Sequence, residues 1–379
     1  MRQEVLTHRR KSDEKESALL KPAPYNKEFF MSQIHSASTG TRLITGTFLQ
    51  LDHWDDQEGR RFQEQLRSLT PDHWRQMLHD MAAIGIDTLI FQQGTDARGG
   101  IEDTRAYYPS ASWPPPDWMR GKERLYSEII EEADALGMKV FHAIYSMYWP
   151  DPATRTAEAI TLAERLLLEL QELYAGHPSF AGWYWTYEYP PSSPAGRDAL
   201  QKIVPAVRKL SEAPFLIAPN ADRSMCATIL QDIDVDIIAY QDSVGLGVEP
   251  DIFNRYARAD RFRSLARLPF LYEELRYAHN AWNASNAWNS YRRDRGRTQL
   301  WNDLEIWEFD CHKELIPTEL SRIAAQLDLT APFVDKQIIY QYPGLMHHPD
   351  HPVKVGGERA ATLYENYALY REAVLAGRK

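Results

Sequence analysis

One glutamate of this chain stands inside a dense aromatic run, and that setting points to acid chemistry. Glu188 lies in the segment GWYWTYEYP, where five aromatic residues accompany it. An apolar environment disfavours the charged carboxylate and raises its pKa, which keeps a glutamic acid protonated near neutral pH. Glu188 is therefore our candidate general acid. The alternative is a structural carboxylate that pairs with an arginine.

A general acid that cleaves a glycosidic bond works with a second carboxylate, which acts as nucleophile or as base for a water. In segment 299–307, Leu304 and Ile306 are best placed against surrounding helices, so strand alternation turns Glu305 inward. Asp242, which shares a face with Tyr240 in an earlier apolar run, competes for this role. We favour Glu305 over Asp242, and the remaining alternative is that neither is catalytic. The residues of this segment predicted to point inward are Trp301, Asp303, Glu305 and Trp307.

The elements that carry these residues follow one repeated pattern. From residue 43 onward, short β-rich apolar runs alternate about eight times with longer segments of helical periodicity. This α/β alternation predicts a single (β/α)8 TIM barrel with long βα loops. An open doubly wound sheet shares the alternation, but no GxGxxG or GxxxxGKS motif follows any strand. The strand candidates are 43–51, 86–93, 138–146, 180–188, 214–219, 235–242, 299–307 and 335–342.

Local signals place helices between the strands. Thr70 and Pro71 have the residue types preferred where a helix begins. The stretch 250–298 is ambiguous, and we predict that it is mainly helical because Leu271 and Leu275 fall at helical spacing. Residues 41–379 are predicted to form the catalytic barrel domain. Residues 1–40 form a polar arm that we expect to be poorly ordered.

The rim of such a barrel is where a ligand should bind. In barrel enzymes the active site lies at the C-terminal ends of the strands. Amide and acid side chains there hydrogen-bond to hydroxyl groups, and flat rings stack on the apolar faces of sugars, so we expect a carbohydrate substrate. The predicted substrate-binding residues are Gln50, Asp52, Gln92, His142, Tyr145, Trp185, Asn220, Tyr240, Asp242, Trp301 and Gln341.

The charge of the chain argues against two classes of partner. The formal net charge is −10 and the isoelectric point is near 5.7. Nucleic acids and anionic membranes both require a basic surface, so we expect neither as a partner. The first thirty residues contain no apolar signal segment, which favours the cytoplasm, although Met31 is a plausible alternative start. The sequence does not predict an oligomeric state.

Metal and cofactor chemistry has little support in the sequence. Cys226 and Cys311 belong to no CxxC pair, so neither a disulfide framework nor a structural zinc site is expected. A histidine-rich segment at 347–351 contains possible metal ligands, but adjacent histidines cannot easily converge on one ion. We therefore expect no metal and no cofactor.

The motifs of this chain resemble a known family. The segments TGTFLQLDHW, MKVFHAIYSMYWP, GWYWTYEYP, IIAYQDSVG and LWNDLEIWE resemble domain of unknown function 4434, a family of bacterial barrels regarded as glycoside hydrolase-like. The resemblance covers residues from about 43 to 345. More distantly, the layout is similar to the clan A retaining glycosidases, whose acid lies on strand four and whose nucleophile lies on strand seven.

This distant resemblance implies specific roles. It assigns Glu188 as the acid and Glu305 as the nucleophile, with carboxyl groups about 5–5.5 Å apart as in retaining enzymes. It also implies that Tyr240 hydrogen-bonds to the nucleophile. Tyr187 stands where clan A members usually carry an asparagine.

Overall fold

Eight parallel strands form a closed barrel in the computed structural model. The model describes residues 39–188, 193–219, 233–246, 248–249, 257–258, 261–286 and 297–377. Each strand pairs with its sequence neighbours, and the last strand pairs with the first. The predicted (β/α)8 barrel is therefore confirmed. The barrel strands are β1 (Ile44–Leu49), β2 (Thr88–Phe91), β3 (Lys139–Ala143), β4 (Phe180–Trp185), β5 (Phe215–Ile217), β6 (Ile237–Gln241), β7 (Gln299–Glu305) and β8 (Lys336–Tyr340).

Helices surround this barrel. The predicted start at Thr70 is confirmed, because its side chain accepts a hydrogen bond from the backbone N–H of His73 and Pro71 opens the helix. The ambiguous stretch contains a 26-residue helix, as predicted. Among the described helices, none is long and apolar enough to cross a membrane. The described α-helices are α1 (Gln63–Ser68), α2 (Pro71–Ala83), α3 (Leu125–Leu136), α4 (Thr156–Tyr174), α5 (Pro194–Leu210), α6 (Arg261–Asn286), α7 (Leu320–Thr330) and α8 (Gly357–Leu375).

Alternate residues of each strand fill the barrel interior. On β7 the inward set begins with Trp301, which agrees with the prediction for this strand. On β6 Ile237 and Ala239 point inward, so Gln241 faces the interior and Tyr240 faces the helices. The buried residues of the interior cluster are Phe48, Ile90, Phe141, Ala143, Tyr184, Leu216, Ala218, Ile237, Ala239, Trp301 and Ile338.

Some expectations lie outside the described residues. These are the arm at residues 1–38, Asn220 and Cys226. The predicted boundary between the arm and the catalytic domain stays a prediction.

Candidate functional site

A cavity of about 230 Å³ opens at the C-terminal ends of the strands. Ligand pockets usually measure roughly 300–1,000 Å³, so this one suits a small ligand. Its lining combines carboxyl groups, amides and aromatic rings. The described residues that line the cavity are Trp54, Glu58, Gln92, Met147, Glu188, Gln241, Leu246, Asp303, Glu305, Trp307, Phe309 and Tyr340.

Glu188 lies in this cavity, three residues beyond the end of β4. The Gln92 amide donates a hydrogen bond of 3.4 Å to Glu188 Oε1, and the Gln241 side chain is a second hydrogen-bond partner. Burial raises the pKa of Glu188 to about 7, and the two amides partly oppose this shift by stabilising the carboxylate. Glu188 therefore holds its proton in a large fraction of molecules at neutral pH, as a general acid requires.

Glu305 ends β7 and faces the same cavity. The backbone N–H of Leu246 donates a hydrogen bond of 2.6 Å to Glu305 Oε2. Gly245 allows this close approach, since a Cβ there would lie 2.8 Å from Glu305 Cβ. Burial, followed by the charge of Asp242, raises the pKa of Glu305 to about 8. The loop after β6 thus orients the second carboxyl group.

Asp242 lies behind this site, on the side of the helices. Its Oδ2 accepts a hydrogen bond of 2.6 Å from Gln326 of α7, and its Oδ1 accepts one of 3.3 Å from the backbone N–H of Glu305. It is not among the described residues that line the cavity. Of the two candidates for the second carboxylate, only Glu305 is among the described residues that line the cavity. The predicted contact between Asp242 and the substrate is therefore corrected, because Asp242 is not among the described residues that line the cavity.

Asp303 is a third carboxyl group on the same inward face of β7 as Glu305. Only 2% of its surface is exposed, yet it lines the cavity. Its Oδ1 has no hydrogen-bond partner among the described residues. Burial, together with the charges of Glu188, Asp242 and Glu305, raises the pKa of Asp303 well above its ordinary value. Strand alternation predicted its inward direction, although we did not assign it to the site.

Two rings of the cavity wall are fixed from behind. The Tyr340 hydroxyl accepts hydrogen bonds of 2.6 Å from the Gln50 amide and 3.0 Å from Trp54 Nε1. His53 Nε2 lies 3.3 Å from the same oxygen, and burial lowers the pKa of His53 to about 4, so the ring is neutral at pH 7. Gln50, predicted to bind substrate, instead holds Tyr340 in place.

Several other predicted contacts face the helices because of strand alternation. His142 lies between inward-facing neighbours on β3, so it points outward, where its Nδ1 lies 2.8 Å from the Tyr126 hydroxyl. Tyr240 points outward on β6, and its hydroxyl lies 3.2 Å from His279 Nε2. The expectation that Tyr240 contacts Glu305 is wrong. His142 and Tyr240 thus belong to the layer between the barrel and the helices.

Two predicted aromatic contacts and one predicted carboxylate are also corrected. Tyr145 and Trp185 stack on each other at 4.6 Å between ring centroids, outside the described cavity lining. Asp52 is fully buried in ion pairs with Arg67 and Arg98, so its charge is already compensated.

Trp301 and Gln341, both predicted to bind substrate, also lie outside the described cavity lining. Trp301 packs in the barrel core four residues before the end of β7, too deep to meet a ligand at the rim. Gln341 is fully buried directly after β8 and is not among the residues described as lining the cavity. In the part of the chain that the structure describes, no group of three or more histidine, cysteine or acidic residues is arranged to hold a metal ion.

Sequence reasoning missed two polar residues of the cavity. Gln241 was passed over because the apolar run IIAY gives no indication of which face of β6 points inward. Glu58 lies in the loop after β1, where its carbonyl oxygen accepts a hydrogen bond from the backbone N–H of Leu315. Burial, followed by the charges of Asp55 and Glu188, raises the pKa of Glu58 to about 7. No local signal identifies such a loop residue.

Comparison with known proteins places this chain in a family. Residues 44–353 match the model described as Domain of unknown function (DUF4434), and the chain belongs to this family. No curated protein sequence matches the chain.

Solved structures share the fold at low sequence identity. A candidate alpha-L-fucosidase from Bacteroides thetaiotaomicron is 18% identical, with a TM-score of 0.61 over 89% of this chain and 95% of that one. A glycoside hydrolase family 5 mannosidase from Rhizomucor miehei is 10% identical, with a TM-score of 0.53 over 88% of this chain and 94% of that one. Barrels of this kind thus occur among glycoside hydrolases.

Proposed function

We propose that this member of the family is a glycoside hydrolase, with Glu188 as general acid and Glu305 as nucleophile. The observation that carries the proposal is that both carboxyl groups share one cavity with the rings of Trp54, Trp307 and Tyr340. Acid and ring side chains together are what a sugar with polar edges and apolar faces requires. The fold is one that glycoside hydrolases use, which supports the proposal without deciding it.

The proposed reaction proceeds in two steps. Glu188 gives its proton to the glycosidic oxygen while the Glu305 carboxylate bonds to the anomeric carbon, which releases the leaving group as an alcohol. Glu188 then takes a proton from a water that attacks the anomeric carbon and frees Glu305. Two inversions give net retention of the anomeric configuration.

The lining favours a neutral sugar. It contains the carboxyl groups of Glu58, Glu188, Asp303 and Glu305, and the residues described as lining it include no lysine or arginine. A uronic acid would bring a further negative charge into a buried acidic site, where like charges repel strongly. We propose that neutral hexosides or deoxyhexosides are the substrates.

A screen of purified protein against neutral aryl glycosides and polysaccharides tests the proposal, with Glu188→Gln as the matched variant. We expect turnover by the wild type, retention of configuration in the first product seen by NMR, and loss of turnover with binding kept in the variant. Binding of glycans without any hydrolysis by the wild type would instead favour a non-catalytic glycan-binding barrel.

The pH dependence of kcat/KM provides a further prediction. The pKa of Glu188 is raised to about 7 and that of Glu305 to about 8, in each case first by burial. The reaction needs a proton on Glu188 and none on Glu305, so activity falls in acid as Glu305 gains a proton and in alkali as Glu188 loses one. We expect a bell-shaped profile with its maximum between about pH 7 and 8. A monotonic profile would contradict the assignment.

A further inference from the structure

We propose that Asp303 is a neutral acid which donates a hydrogen bond to a hydroxyl group of the sugar at the floor of the cavity. The inference rests on the proposed function, since it names how the same site recognises its substrate. Asp303 lies two residues before Glu305 on the same face of β7, so it lies deeper in the barrel than the proposed nucleophile and contacts a different part of the sugar. At about 3.3 Å per residue, its Cα is roughly 7 Å deeper in the barrel.

The position of Asp303 leaves it one open direction. Its backbone pairs with Ile338 of β8 on one side and with Gln241 of β6 on the other. Its small exposed fraction faces the cavity that it lines. Its Oδ1 has no hydrogen-bond partner in the described part of the chain. A polar group this deeply buried is normally hydrogen-bonded, so a ligand group in the cavity is the natural partner.

An ionised Asp303 would be strongly disfavoured at this place. A buried carboxylate needs a cation or several hydrogen-bond donors to offset its lost hydration. No described ion pair involves Asp303, and the charges that act on it come from Glu188, Asp242 and Glu305. All three are acidic. The same crowding raises the pKa of Asp303, which agrees with a side chain that keeps its proton.

A neutral carboxylic acid can donate one hydrogen bond as well as accept one. A sugar hydroxyl is complementary because it also accepts and donates. When a site is built to hydrogen-bond a hydroxyl group, an analogue without that group leaves a buried polar atom unpaired and is rejected strongly. Asp303 is thus a specificity-determining residue, and the transferred protons of the reaction stay with Glu188.

The test compares Asp303→Asn with Asp303→Ala. Asparagine has nearly the same shape, keeps a hydrogen-bond donor and cannot ionise, whereas alanine removes the group. Calorimetry measures binding of D-glucose, D-galactose, D-mannose and L-fucose to the wild type and both variants. For the sugar that the wild type binds best, we expect Asp303→Asn to stay within about threefold and Asp303→Ala to lose about tenfold or more. Equal affinity of the alanine variant and the wild type overturns the inference.

Monodeoxy analogues of that sugar identify the contact. One analogue should bind the wild type more weakly than the parent sugar does. The same analogue should bind the alanine variant as well as the parent sugar binds that variant. If every analogue loses the same factor in both proteins, Asp303 contacts no hydroxyl group and the inference fails. If the wild type neither binds nor hydrolyses any sugar, the proposed function fails as well, whereas hydrolysis with no effect of Asp303→Ala overturns this inference alone.

The proton itself is tested without any ligand. The infrared difference spectrum between the wild type and Asp303→Asn should contain the carbonyl band of a neutral carboxylic acid at pH 7, and the band should persist at pH 9. A difference that contains only carboxylate bands would show that Asp303 is ionised. Circular dichroism and thermal melting of each variant serve as controls for folding.

Discussion

The two faces of the barrel strands carry similar residues with different fates. On the cavity face, Gln92 and Asp303 line the space open to a ligand. On the helix face, His142, Tyr240 and Asp242 lie at or near the ends of the same sheet but contact Tyr126 of α3, His279 of α6 and Gln326 of α7 respectively. Residue type and position near a strand end are therefore insufficient to assign function. The direction of the side chain decides it.

The physical basis of this difference is partner supply. Helices pack against the outer face of the barrel, so a polar side chain there can find a hydrogen-bond partner on a helix. The cavity face has no second layer of protein above it. Asp303 Oδ1 and Gln92 Oε1 accordingly have no hydrogen-bond partner in the described structure. Unpartnered groups on the cavity face are available to a ligand, whereas a helix-face group such as His142 Nε2, which also has no hydrogen-bond partner among the described residues, is not among those that line the cavity.

The largest expected effect separates two carboxyl groups that lie on opposite faces. Glu305→Gln should lower kcat by roughly a thousandfold or more with little change in melting temperature, because it replaces the attacking carboxylate by a neutral and much less nucleophilic amide. Asp242→Asn should keep much of the activity. It removes a negative charge that raises the pKa of Glu305, so the acid limb of the pH profile should move to lower pH.

Stopped-assay pH profiles of the two variants provide the measurement. Loss of activity in Asp242→Asn equal to that in Glu305→Gln, or an acid limb that moves to higher pH, would contradict the division between the faces.

Two tyrosines give a matched pair with a smaller effect. Tyr340→Phe removes the oxygen that orients the ring toward Gln50 and Trp54, and we expect KM to rise roughly tenfold through loss of positioning. Tyr240→Phe removes the hydroxyl group that contacts His279 on the helix face. It should lower the free energy of unfolding by about 1 kcal/mol and leave kcat/KM within about twofold of the wild type. Steady-state kinetics and urea unfolding of both variants test this pair, and a loss of kcat/KM in Tyr240→Phe would restore this residue to the site.

The sequence predicted the strands well because each buried run is bounded by helical periodicity. It also predicted the direction of Glu305. Along β7, Leu300 and Leu304 lie on one face of the strand, and Asp303 and Glu305 lie on the other. The same reasoning failed on β3 and β6. Their segments KVFHA and IIAYQ are apolar on both faces, as expected for strands covered inside and outside. Alternation then carries no information, and neighbours such as Tyr240 and Gln241 exchange roles.

Long-range packing limited the prediction of the remaining site residues. Glu58 follows β1 by nine residues and enters the cavity because the loop hydrogen-bonds to Leu315, which lies far along the chain. Gln50 could be placed near the rim from its position after β1. Its role behind Tyr340 depends on the ring from β8, which no local pattern predicts.

The smallest expected effect concerns stability alone and comes from His142 on the helix face. Burial lowers the pKa of His142 to about 3, whereas an unfolded chain binds this proton near pH 6.5. The neutral ring contributes its full stability above about pH 6.5, and that contribution declines as pH falls toward 3.

His142→Phe keeps a flat ring for stacking but cannot bind the proton. The unfolding free energy of the wild type relative to that of the variant should therefore fall by about 2 kcal/mol from pH 7 to pH 5. Urea unfolding of both proteins at the two pH values measures this change. Because His142 lies outside the cavity, kcat/KM of His142→Phe at pH 7 should match the wild type, and a tenfold loss would place this ring at the substrate after all.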